Sequence, residues 1–180
     1  LLSEPLVCHD HIDRFLLETK MQMLGLGLVW DELTVGQKFR TIGRTIMDSD
    51  ITAFCNATGM TEVLFTNSEY IAKYTNFEGR LVPGSLVFCM AEGLLMQCTM
   101  QYTGLAFLNA EMDVKGPSVA GDTIHVELEV VEVKPTSKGR GLVRTSNVVK
   151  NQNGDVILTY NPLRMMAGRE MLDAKAADPV

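Results

Sequence analysis

The spacing of hydrophobic positions changes along this chain, and each change marks an element. Over 81–101 the run Leu-Val-Pro-Gly-Ser-Leu-Val-Phe-Cys-Met-Ala-Glu-Gly-Leu-Leu-Met-Gln-Cys-Thr-Met-Gln is apolar on nearly every side. Pro83, Gly84 and Ser85 open it, because proline suits a first helical position and a serine hydroxyl can cap free N–H groups. The pattern predicts a buried core helix that the rest of the chain must cover. Glu92, Gly93 and Gln97 interrupt it before the ~20 apolar residues needed to cross a bilayer, so no membrane span is expected.

After this helix the period falls to two. Ala106, Leu108, Ala110, Met112 and Val114 share one strand face, predicted to cover apolar surface, with Asn109, Glu111, Asp113 and Lys115 on the other. Ile124, Val126, Leu128 and Val130 then alternate with Thr123, His125, Glu127 and Glu129, which makes His125 an expected solvated residue. Residues 135–139 join this strand to one over 141–150. Asn153-Gly154-Asp155 predicts a hairpin into 156–166, where Pro162 implies an edge or a bulge. Upstream, a strand over 38–47 precedes Asp48-Ser49-Asp50, which caps a helix through Ile51, Phe54 and Cys55; a loop over 59–66 leads to a short helix capped by Asn67 or Ser68. The expectation is an α+β fold, an antiparallel sheet of about five strands around one long helix. It occupies 33–168, behind an N-terminal extension over 1–32 with an amphipathic helix at 12–24 and ahead of a tail over 169–180.

Composition narrows the function classes. With 180 residues, 46% hydrophobic and 21% charged, the chain suits one globular domain with a sizeable core. A net charge of −6 without a Lys/Arg cluster argues against nucleic acid. The four cysteines lack C-x-x-C spacing and no secretory leader is visible, so reduced thiols in a cytoplasmic protein are expected, with Cys89 in the core. Cys8-His9-Asp10-His11 cannot by itself close a tetrahedral metal site and reads as a polar helix entry; neither metal nor cofactor is expected. Glu92, the only charge in the core helix, needs a hydrogen-bonded partner or access to the surface.

Three stretches carry a resemblance: Gly59-Met60-Thr61-Glu62-Val63-Leu64-Phe65-Thr66-Asn67-Ser68-Glu69-Tyr70, Phe77-Glu78-Gly79-Arg80-Leu81-Val82-Pro83-Gly84, and Gly121-Asp122-Thr123-Ile124-His125-Val126. Together they resemble the MaoC-like (R)-specific enoyl-CoA hydratase/dehydratase family. That resemblance implies a hot-dog fold, an acyl-CoA or other acyl-thioester ligand, and a homodimer or higher homo-oligomer with pockets between subunits. It also implies addition of water to a 2-enoyl thioester, or the reverse. The family's backbone oxyanion donor falls on Gly84, with Pro83 and Ser85 beside it. Its aspartate and histidine positions fall on Met60 and Phe65, which cannot move a proton at neutral pH and instead shape the substrate pocket. Glu62, in the same loop, is the candidate acid/base in their place. Two alternatives stand: an acyl-CoA-binding hot-dog protein or subunit without catalysis, and a hot-dog thioesterase using Glu62 or Glu92.

Overall fold

The structure is a computed structural model that describes residues 23–177. The helix expected at 12–24 and the Cys8-His9-Asp10-His11 stretch lie outside the described residues, apart from Met23 and Leu24. Eight strand segments occupy five rows of one antiparallel sheet. β5 (Thr123–Pro135) and β6 (Arg140–Lys150) form its centre. β1 (Lys38–Arg40) and β2 (Arg44–Thr45) pair with β5, so the single strand expected over 38–47 is broken at 41–43. On the other side β7 (Val156–Tyr160) and β8 (Leu163–Ala167) share the far edge of β6, divided at Asn161-Pro162 because proline cannot donate to the ladder. β3 (Gly104–Asn109) and β4 (Met112–Val114) form the outer row.

Before the outer row come α1 (Asp48–Thr58), the single-turn α2 (Val63–Thr66), α3 (Ser68–Tyr74) and the long α4 (Gly84–Leu95). α4 runs on as a π turn over Met96–Met100. Its buried positions Leu86, Val87, Met90, Ala91, Leu94 and Leu95 pack with Ile124, Val126, Val149, Leu158 and Tyr160 of the sheet in one core cluster. The helix is not covered all round: Cys89, expected in the core, is exposed, as is Met96 on the same face. Asp50 fixes the start of α1 by accepting from the Met47 N–H at 2.9 Å, while Asp48 leaves its carboxylate largely exposed.

Two further expectations change. His125 is buried, at 8% exposure, on a strand otherwise facing inward at both neighbours; its Nε2 lies 3.4 Å from Glu127, which also accepts from Lys150 at 2.7 Å. These bonds, Lys150 first, hold the Glu127 carboxyl below its ordinary pKa range. Leu108, Met112 and Val114 are exposed, because their row has no neighbour on its outer side. The stretch before Leu33 is packed from Gly27 onward: Gly27 and Leu28 bond the Gln101 and Thr99 carbonyls, and the Trp30 ring lies on Gly141, where any Cβ would displace it. After the sheet, α5 (Arg169–Ala177) closes the described chain, bound through Arg169 to Asp31 and Glu32.

Candidate active site at the start of the long helix

The first turn of α4 leaves two donors unused. Pro83 is the N-cap, and its carbonyl receives both the Leu86 and Val87 N–H groups, at 2.9 and 3.2 Å. The Gly84 and Ser85 N–H groups have no protein acceptor among the described residues. Free amides at a helix N-terminus, aligned with the helix dipole, favour an oxygen that gains negative charge. Gly84 also admits β4 to this turn, since a methyl group there would stand 3.0 Å from Val114 Cγ2.

The loop after α1 closes onto the same turn. Gly59, in the left-handed region with φ 71°, ends α1 and turns the chain back. The Ser85 hydroxyl then donates to the Met60 thioether at 3.9 Å. Glu62 is the N-cap of α2: its Oε2 accepts from the Leu64 N–H at 2.7 Å, and Oε1 has no protein partner among the described residues. The structure thus brings Met60, Pro83, Gly84 and Ser85 together. Glu62 is exposed in the adjoining turn and makes no hydrogen bond to the helix start.

Phe65 points elsewhere. It packs partly buried against the core and lines a cavity of about 480 Å³ with Asp48, Asn67, Ile71, Phe77 and Arg80. Arg80 holds this wall: Nε donates to the Phe65 carbonyl at 3.0 Å, and Nη1 donates to Thr52 Oγ1 at 2.8 Å and the Asp48 carbonyl at 3.3 Å. One guanidinium therefore joins α1, α2 and the segment leading into α4. Arg80 drew no expectation from the sequence; an arginine directly ahead of Leu81-Val82-Pro83 was the available signal.

A second polar group lies deeper along α4. Glu92 receives Arg164 Nη2 on both oxygens, at 2.7 and 2.9 Å, and the Tyr160 hydroxyl on Oε1 at 2.8 Å. Burial, then the Glu92 charge, pushes the Tyr160 phenol well above its ordinary pKa, so it remains a donor. Gly84, Phe88 and Glu92, spaced by four, share one stripe of the helix. The Phe88 ring meets Tyr160 and Phe107 edge-on, with centroids 5.2 and 6.3 Å away. Among the described residues no cluster of His, Cys, Asp and Glu is arranged to hold a metal, and no helix is long and apolar enough to cross a membrane.

Comparison with known proteins gives the family and the fold. A family model described as FAS1-like, dehydratase domain region, matches residues 33–160. The R-hydratase PhaJ1 from Pseudomonas aeruginosa in its unliganded form is 26% identical, with a TM-score of 0.67, over 79% of this chain and 88% of that one. A MaoC-like dehydratase from Rhodospirillum rubrum superposes with a TM-score of 0.67 at 23% identity, covering 79% of this chain and 99% of that chain. The Mycobacterium tuberculosis protein RV0216, described as having a double hotdog fold, gives a TM-score of 0.72 at 23% identity over 79% of this chain and 44% of its own. No curated protein matches the chain.

Proposed function

Because this chain belongs to the FAS1-like dehydratase family and has its MaoC-like hot-dog fold, we propose that it adds water to a 2-enoyl thioester, or removes it from the 3-hydroxyacyl thioester. The observation that carries this reading is the pair of unused N–H groups at Gly84 and Ser85, beside a loop that closes on them through Met60. In the hydration direction water attacks C3, C2 gains a proton, and the thioester oxygen carries negative charge in between. The two amides stabilise that oxygen, a contribution of about 2.7–4 kcal/mol per donor in comparable sites. Met60, Pro83 and Ser85 border the reacting carbons, and Phe65 limits the neighbouring cavity.

Proton transfer falls to Glu62. Its Oε2 is fixed by the Leu64 N–H, which orients the carboxylate, and Oε1 has no protein partner among the described residues. We take acyl-CoA as the ligand and a homodimer as the working unit. The unpaired outer row of β3 and β4, with Phe107, Leu108, Met112 and Val114 each at least 45% exposed, supports pairing with a second copy. The thioesterase alternative loses one of its two carboxylates, since Glu92 is engaged by Arg164.

The test is turnover of trans-2-enoyl-CoA substrates, followed through loss of the conjugated thioester absorbance. Glu62→Gln is expected to lower kcat by about 10²–10⁴-fold with an unchanged melting temperature. Unchanged turnover in that variant removes Glu62 from the mechanism. Saturable acyl-CoA binding with no turnover at any chain length instead establishes the non-catalytic reading, which is favoured by the capping duty of Glu62 and the absence of proton carriers at Met60 and Phe65.

A further inference from the structure

The far end of α4 holds a built but incompletely used donor group. Arg164 is 3% exposed and spends Nη2 on Glu92, yet its Nε and Nη1 have no hydrogen-bond partner among the described residues. Buried donors without acceptors lose their hydration and gain nothing in return, so such groups call for a partner. Arg164 forms part of the wall of a pocket of about 230 Å³, together with Met96, Met100, Gly104 and Phe107. Two of those residues belong to the π turn, a distortion that recurs at functional sites. Gly104 lies so close to Met100 that a Cβ would meet its side chain and carbonyl at 3.3 Å. Arg164 also borders a second cavity of about 20 Å³, room for one water. The first pocket is more than ten times larger.

We propose that this pocket receives the distal part of an acyl chain bearing a neutral oxygen function, a hydroxyl or a carbonyl, which accepts from Arg164. The inference rests on the acyl-thioester reading above. Charge selects a neutral oxygen: Glu92 already balances Arg164, and a carboxylate on the ligand would leave a net negative charge in a buried place. Methionine walls adapt to the chain beside that oxygen. The stripe Gly84, Phe88, Glu92 runs from the helix start to Glu92, whose partner Arg164 lines the pocket. Eight residues of helix separate its ends, about 12 Å at 1.5 Å per residue, so the oxygen belongs on a medium to long chain.

Titration calorimetry of the full chain tests this with octanoyl-, decanoyl- and dodecanoyl-CoA and their ω-hydroxy counterparts. At one length the hydroxylated chain is expected to bind about tenfold more tightly than its plain parent. In the Glu92→Gln/Arg164→Met double variant, which removes the ion pair without stranding a charge, that ratio is expected to fall to about one. Plain chains that bind with no hydroxyl preference at any length overturn the subsite alone, a result read from the unmodified protein. A preference that survives in the double variant also overturns it. Failure of every acyl-CoA to bind overturns the thioester reading and the subsite with it.

Discussion

Glu92 is a carboxylate placed on an apolar helix, and its neighbours make that placement tolerable. Arg164 supplies opposite charge through two hydrogen bonds and Tyr160 a third, so no bare charge faces the core. Removing one partner of a buried pair strands the other, which typically costs about 3–5 kcal/mol. Glu92→Ala is therefore expected to lower unfolding free energy by that amount in urea titrations. Tyr160→Phe leaves the ion pair intact and should cost less, about 1.5–3 kcal/mol, the order of one hydrogen bond to a charged group. An equal or reversed ranking would mean that the pair does not carry the stability assigned to it. The need for such a partner was legible in the sequence, because a lone charge among apolar residues demands one. Its identity was not: Arg164 and Tyr160 lie some seventy positions away on strands whose register no local pattern fixes.

At the scale of elements, the loop before β5 depends on Asp122. Burial alone would raise its pKa, but bonds from Gln152, the Val119 N–H and Ser118 outweigh it and hold the carboxyl below its ordinary range. A carboxyl depressed in the folded state stabilises above its unfolded pKa, and that contribution fades as pH falls through the lower folded value. Asp122→Asn should thus cost about 1–3 kcal/mol at neutral pH and flatten the loss of stability below about pH 4. Chemical denaturation at a series of pH values reads both effects; an unaltered acid limb would exclude Asp122 as a source. Element order was largely readable: the apolar run gave α4, alternation gave β5, the 135–139 connection gave β6, and Asn153-Gly154 gave the turn into β7, where Gly154 has φ 87°. Alternation misled at His125 and along β3 and β4, since period two reports which residues share a face and not what covers it. The candidate site was half legible. Helix-start chemistry pointed to Gly84 and Ser85, whereas Arg80 acts through carbonyls of residues distant in sequence and left no periodic trace.

At the scale of the whole molecule, the sheet ends on an apolar outer row. Leu108, Met112 and Val114 alternate along it, and an exposed strand edge of this kind pairs readily with another. Sedimentation velocity of the protein is expected to show a dimer, and Leu108→Glu/Met112→Glu to shift it toward monomer by placing like charges along the pairing edge. An unchanged sedimentation coefficient in that variant would place the contact elsewhere. The same architecture has a consequence for synthesis on the ribosome. α4 leaves the exit tunnel before β5 to β7, the strands that supply its apolar cover, have followed it out. At about 5–20 residues per second the helix therefore waits several seconds as a sticky, uncovered rod, the kind of nascent segment that chaperones hold.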